Sequence, residues 1–255
     1  VNAGPLSGKK VLITRPAPND EFVAKLREAG AEPLPAPTIA IGPPDDEAGA
    51  DLGVRIVETY AWIVFTSQNG VTAFFERVRA HGRDARAFGD TLVAAIGPKT
   101  AQSLRSHGIR ADFVPPRFVS EEVAAGLLER TQPGERISIY GAQDAREVLA
   151  ERLRDAGRSV DVYAAYKTSP ILDPAIAELA RQADIWTFAS ASSVRALLAN
   201  LPGAALLSHG KIVACIGPVT ADAAREAGMV VQVVARDSTL EGLIESLSQT
   251  ATATA

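Results

Sequence analysis

The sequence predicts an α/β fold with an internal duplication: two lobes of parallel β-sheet, each flanked by helices. Three observations point to it. The phrase "IGPKTA" at 96–101 returns as "IGPVTA" at 216–221. Three further stretches recur in the same order: "KVLITRPAPNDEFVAKLREAGAEP" as "RISIYGAQDAREVLAERLRDAGRSV", "IVFTSQNGVTAFFERV" as "IWTFASASSVRALLANL", and "EEVAAGLLERT" as "STLEGLIESL". Short apolar runs alternate throughout with amphipathic stretches of helical period. The repeated unit is about half the chain, too long for a solenoid turn and right for a small domain.

Taken in order, "KKVLITR" is a strand rich in Val, Leu and Ile, and "NDEFVAKLREAG" a helix with Asn19 as N-cap and Gly30 just past its end. Two proline-marked stretches, 33–44 and 162–174, break the helical pattern and read as extended connectors between lobes. "WIVFT" is a continuous apolar strand of the kind buried on both faces. The helix after it carries Val71, Phe74, Phe75 and Val78 on one face, and its twin carries Val194, Leu197, Leu198 and Leu201. "DFVP" and "VQVVA" end further βα units, Ser238 with Glu241 forms a capping box for the last helix, and the tail "SQTATATA" is expected to fray.

Composition removes several classes of function. Of 255 residues, 47% are hydrophobic and 22% charged, an ordinary globular balance. No apolar run approaches the ~18–20 residues of a membrane span, and the opening "VNAGPLSGKK" lacks a signal-peptide pattern. A single cysteine, Cys215, excludes an intramolecular disulfide framework and fits a reducing, cytoplasmic setting. A net charge of −4 without a basic block argues against nucleic acid. No dinucleotide fingerprint, Walker A loop, nucleophile elbow or zinc-protease helix is present. His81, His107 and His209 stand in polar contexts, Cys215 lies in an apolar core run, and Asp45, Asp46 and Glu47 read as a solvated acidic loop. Nothing implies a metal or cofactor.

In parallel α/β sheets ligands bind beyond the carboxyl ends of the strands, in a cleft where two lobes meet. The residues there are small or hydroxylated: Thr14 and Arg15; Ser67, Gln68, Asn69 and Gly70; Gly97, Lys99 and Thr100; Tyr140 and Gly141; Ser190 and Ser192; Gly217 and Thr220. Most open helices, where free backbone N–H groups and the positive end of the helix dipole suit carboxylates or phosphates. Gly-Pro-x-Thr also serves as a plain strand-to-helix turn, because proline needs no N–H in the first helical turn.

The phrases "VLITRP", "FTSQNGV", "IGPKTA", "VYAAYKT", "FASASSV" and "IGPVTA", in this order across residues 9–247, resemble the uroporphyrinogen-III synthase family. The resemblance implies two α/β lobes joined by paired extended strands, with lobe 1 at 1–40 and 170–255 and lobe 2 at 41–169, out of register with the duplication. It implies a monomeric, cofactor-free lyase acting on the linear tetrapyrrole hydroxymethylbilane, with transient contact to the preceding pathway enzyme as a further expectation. Loss of water would give an azafulvene. Ring D would be attacked at its substituted carbon, pass through a spiro intermediate, and close inverted as the type III macrocycle. The family's site residues fall on Ser67, Thr100, Ser190 and Thr220, with Tyr166 rather than Tyr163 as the catalytic acid; Arg15, Lys99, Arg146 and Lys167 are candidate cationic additions. A non-enzymatic bilobal binding protein is the alternative, and a sugar-phosphate enzyme is disfavoured by the lack of an evident general base such as His or Glu in a strand-end loop.

Overall fold

A computed structural model describes residues 4–145 and 147–253, with side chains to residue 250. The chain opens with β1 (Lys10–Ile13), α1 (Asp20–Glu28), β2 (Glu32–Pro35) and β3 (Ile39–Gly42). It continues through α2 (Glu47–Arg55), β4 (Trp62–Phe65), α3 (Gln68–Ala80), β5 (Leu92–Ala95), α4 (Pro98–Ser106), α5 (Ser120–Leu128), β6 (Arg136–Ala142), α6 (Val148–Asp155) and β7 (Ser159–Pro170). It ends with α7 (Pro174–Gln182), β8 (Ile185–Phe188), α8 (Ala191–Asn200), α9 (Ala204–Ser208), β9 (Ile212–Cys215), α10 (Pro218–Glu226), β10 (Val233–Val234) and α11 (Leu240–Ala253).

The chain divides into two compact units. Unit 1 takes the chain up to Ile41 and from Ser169 onward; unit 2 is Gly42–Thr168. Unit 1 holds a sheet ordered β10-β9-β8-β1-β2, and the second sheet is ordered β3-β7-β6-β4-β5. The ladders β1–β2, β1–β8, β8–β9 and β9–β10 are parallel, as are β4–β5, β4–β6 and β6–β7. In the duplication β1 corresponds to β6, β4 to β8, and β5 to β9. Unit 1 pairs β1 with β8, and unit 2 pairs β6 with β4. Each sheet is therefore assembled from one part of each repeat.

Both sheets are covered on both faces, as the continuous apolar strands require. Along β1, Val11 and Ile13 join one core with Phe22, Leu26 and Leu243, while Leu12 joins another with Trp186, Phe188 and Leu197. Along β4, Ile63 and Phe65 pack with Phe74, Phe88 and Tyr140, while Trp62 and Val64 pack with Val123, Leu127 and Leu153. Val71, Phe74, Phe75 and Val78 are buried, as are Val194, Leu197 and Leu201, with Leu198 packed beside them. Gly30 ends α1 at φ +88°, and its twin Gly157 ends α6 at +81°, a conformation that glycine adopts without Cβ strain. After each, a backbone N–H reaches back into the helix: Ala31 to the Leu26 carbonyl and Arg158 to that of Leu153, both at 3.0 Å.

Several local expectations need correction. The last helix is capped by Thr239, whose Oγ1 accepts from the Gly242 N–H at 2.9 Å, rather than by Ser238. Its helix runs on through Ala253, so the tail read as fraying is helical there, and residues 254–255 lie outside the described set. The acidic loop opens α2: Asp46 accepts from the Gly49 N–H at 2.8 Å. The second connector is mostly the twelve-residue β7, and the first contains the end of β2 and all of β3. "DFVP" contributes one bridge, Phe113 to Ala94, in place of a strand. Among the described residues, no helix is long and apolar enough to cross a membrane.

Candidate functional site

In each unit the strand order reverses between two central strands: β1 and β8 in unit 1, β4 and β6 in unit 2. Loops beyond the carboxyl ends at such reversals are the usual ligand positions of open α/β sheets. Sequence and geometry agree closely between the two units here. After β4, Ser67 adopts an extended backbone and its Oγ accepts from the Gly70 N–H at 3.0 Å. After β8, Ser190 does the same for the Ser193 N–H at 3.2 Å. Each cap satisfies the third helical amide. The first two, of Gln68 and Asn69 in unit 2 and of Ala191 and Ser192 in unit 1, have no intrahelical acceptor.

The outer helices repeat the agreement. Gly97 and Gly217 are N-caps with extended backbones, followed by Pro98 and Pro218 in the first turn. Each glycine lies close under a side chain of the next segment. A Cβ on Gly97 would lie 3.2 Å from Phe118, and one on Gly217 would lie 2.7 Å from the Ser238 Oγ. Thr100 and Thr220, each in the third helical position, are only 4% and 5% exposed. Most buried hydroxyls in this protein donate to a carbonyl: Thr14 to Thr187, Thr38 to Thr14, Thr91 to Val57, Thr131 to Leu127, Thr187 to Leu12. The hydroxyls of Thr100 and Thr220 have no partner among the described residues, and neither is a fully enclosed atom. Buried polar groups are nearly always paired, so an unpaired hydroxyl that is not fully enclosed is free to meet an external partner.

Two further buried hydroxyls share this lack of a partner, that of Ser138, which is fully enclosed on β6, and that of Tyr166. The β6–β7 register shifts between Gly141 and Ala142, so Gly141 faces Ala164 while Ala142 faces Tyr166, and Ala165 is the extra residue. Such bulges redirect side chains. Tyr166 is 9% exposed and its hydroxyl has no partner among the described residues. Tyr163 differs: its hydroxyl lies 2.7 Å from that of Tyr60, which donates to Asp161 Oδ2 at 2.7 Å. Burial, then Tyr163 and Asp161, push the Tyr60 hydroxyl far above its ordinary pKa. The Tyr166 carbonyl accepts from the Gln143 N–H at 2.8 Å. Gln143 also fastens Asp45, accepting from its N–H at 2.8 Å and donating to Oδ2 at 2.7 Å, and Asp45 pairs with Lys167.

The other candidates divide. Arg15 is half-buried without an ion-pair partner among the described residues; desolvation lowers its pKa, partly opposed by Glu21. Lys99 and Asn69 are exposed, and Ser192 is half-buried, its Oγ accepting from Arg195 at 3.5 Å. Gln68 donates to the Lys99 carbonyl at 3.2 Å, tying the starts of α3 and α4 together. Four candidates offer a ligand little. Thr14 is fully buried and bonded to Thr187. Tyr140 is fully buried, and its hydroxyl donates to the Ala50 carbonyl, because β6 runs on past it to Ala142. Gly141 is buried, with a Cβ position 2.2 Å from Thr66 Oγ1, and Gly70 spends its N–H on Ser67. Arg146 lies outside the described residues. Cys215 is in the core, its thiol pushed up to about 12 by burial.

Residues 20–245 match the family model described as uroporphyrinogen-III synthase HemD. The chain belongs to the uroporphyrinogen-III synthase family. It is 33% identical over 260 residues to the uroporphyrinogen-III synthase of Synechococcus elongatus, covering 96% of each. It is 32% identical over 248 residues to the porphyrin biosynthesis protein HemD of Ruminiclostridium josui, covering 95% of this chain and 49% of that one; it spans about half that relative's length. Its fold is that of solved synthases. A mutant synthase from Thermus thermophilus superposes with a TM-score of 0.71 at 20% identity, covering 97% of this chain and all of the other. The Helicobacter pylori enzyme gives 0.58 at 17%, covering 93% and 96%.

Sequence reasoning misses two features of this face. Phe118, packed on Gly97, lies outside the recurring stretches, and its correspondence with Ser238 is seen only in the structure. The Gln143–Asp45–Lys167 link joins residues far apart in the chain and has no sequence signal.

Proposed function

We propose that the chain is a uroporphyrinogen-III synthase, a lyase that cyclises hydroxymethylbilane with inversion of ring D and loss of water. Family membership sets the reaction class. The observation that carries the residue assignment is the set of three nearly buried hydroxyls, of Thr100, Thr220 and Tyr166, that are not fully enclosed and are left without internal partners among the described residues; the hydroxyl of Ser138, also unpaired, is enclosed. A substrate rich in carboxylates supplies acceptors for such donors. With a net charge of −4, the protein must hold that polyanion by local means. Unit 2 offers such means at the helix start of Ser67, the Asn69 amide and Lys99, and unit 1 at the helix start of Ser190, the Ser192 amide and Arg15.

In this reading Tyr166 donates its proton to the departing hydroxyl as the C–O bond breaks, and the pyrrole nitrogen lone pair fills the deficit at carbon. Loss of the pyrrole N–H proton then returns a proton to Tyr166 and leaves the azafulvene and water. The remaining contacts hold the chain so that ring D is attacked at its substituted carbon. No cofactor enters this scheme. The protein acts as a cytoplasmic monomer, in transient contact with the enzyme that supplies its substrate.

The test is product analysis after incubation of purified protein with hydroxymethylbilane, without added metal or nucleotide. Predominantly type III uroporphyrinogen is expected. A type I product equal to that of an enzyme-free blank would overturn the proposal.

A further inference from the structure

The two units share their strand-end architecture but differ at one contact. Phe118 and Ser238 are equivalent: each precedes a helix N-cap, Val119 for α5 and Thr239 for α11, and each covers the glycine that opens α4 or α10. Ser238 fixes what the fold needs at this place, which is a small side chain. Phe118 supplies a full aromatic ring, yet that ring is not hidden. It is 57% exposed, and Val119 beside it is 42% exposed. Packing against Gly97 explains the position of its Cβ and Cγ, 3.2 Å from the added-Cβ position. It leaves the outer ring without an internal role, and Phe118 with Val119 presents adjoining apolar surface beside a polar strand-end face.

We propose that Phe118 is a binding residue that packs against a pyrrole ring of the linear tetrapyrrole. The inference rests on the synthase reading above. The neighbouring groups fit the same ligand chemistry: α4, which Gly97 opens, carries the exposed Lys99 and the unpaired hydroxyl of Thr100 in its first turn. A ligand made of flat aromatic rings bearing acetate and propionate arms needs such an apolar platform beside a cation and a hydroxyl donor. In unit 1 the serine at the equivalent position offers no such platform.

Aromatic ring pairs contribute roughly threefold to tenfold in affinity beyond simple burial. The experiment compares wild type, Phe118→Ser and Phe118→Trp in steady-state kinetics with hydroxymethylbilane, with thermal melts alongside. Phe118→Ser is expected to raise KM about three- to tenfold with a smaller change in kcat and an unchanged melting temperature. Phe118→Trp, which keeps an aromatic face, is expected to stay near wild type. An unchanged KM in Phe118→Ser overturns the inference and leaves the synthase reading intact. Equal impairment of both variants, or a large fall in the melting temperature of Phe118→Ser, overturns it too by assigning the side chain a purely structural role. A wild-type protein that forms no type III product overturns the synthase reading itself, and this inference with it.

Discussion

Tyr140 and Tyr166 lie on neighbouring strands of one sheet, yet their hydroxyls have opposite surroundings. That of Tyr140 is fully enclosed and donates to the Ala50 carbonyl, and burial raises its pKa. That of Tyr166 is unpaired among the described residues. Removing each oxygen should therefore separate stability from catalysis. Tyr140→Phe leaves a buried carbonyl without its donor and is expected to cost about 1–2 kcal/mol in urea unfolding. Tyr166→Phe is expected to melt like wild type and to lose at least about tenfold in turnover, within the range of a positioned general acid. Near-normal turnover in Tyr166→Phe would pass the acid role to water or to the substrate's own carboxyls. The sequence distinguishes these tyrosines only in part. "VYAAYKT" singles out Tyr166 by family resemblance, but Tyr140 reads as a strand-end residue because the true end of β6, two residues later, depends on its pairing with β7. The bonding of the Thr14 hydroxyl is hidden from the sequence for a similar reason, since its carbonyl partner Thr187 sits 173 positions away.

At the scale of elements, the sequence is most readable where a signal is local. The helical faces of α3 and α8, the Gly30 and Gly157 terminators and the continuous strand β4 follow from periodicity and backbone preference alone. Helix α2 is not readable, because its acidic start resembles a solvated loop and its partners lie on α3. Arg77, 15% exposed at its side chain, donates to Asp51 Oδ1 at 2.6 Å, with Glu47 at 3.5 Å from Arg77 and His81 at 3.6 Å from Asp51. The Arg77 hydrogen bond is the main reason that the Asp51 carboxyl sits below its ordinary value of 3.8. A folded-state pKa depressed below the unfolded one stabilises the fold fully above the unfolded value. That contribution is lost as pH falls through the folded value. Asp51→Asn is therefore expected to cost a few tenths to about 1 kcal/mol at pH 7, the range for exposed pairs. The cost should shrink as the pH is lowered below about 4. Urea unfolding at the two pH values measures it, and an equal cost at both would show that α2 is held to α3 by packing alone.

At the scale of the whole molecule, sequence repeats and folded units are different divisions of one chain. All four cores respect the units. The two that contain Phe65 and Trp62 draw every buried member from residues 54–166, and the two that contain Leu12 and Val11 draw theirs from residues 6–36 and 176–247. None respects the repeats: unit 1 joins β1 and β2 of the first repeat to β8, β9 and β10 of the second, and unit 2 joins β4 and β5 to β6 and β7. A single repeat thus carries two half-sheets whose partners are on the other repeat. A strand pair without its third and fourth neighbours buries too little apolar surface to offset the entropy of ordering the chain. The fragment 1–133, a full sequence repeat, is therefore expected to remain unfolded or to aggregate on its own. The fragment 42–168, which is no sequence repeat, contains β4, β5, β6, nearly all of β7 and both of their cores, and is expected to melt cooperatively. Circular dichroism melts of the two purified fragments decide the matter. Cooperative melting of 1–133 together with an unfolded 42–168 would mean that the repeat is the folding unit and that the pairing of β1 with β8 and of β6 with β4 is a later exchange between two domains already formed.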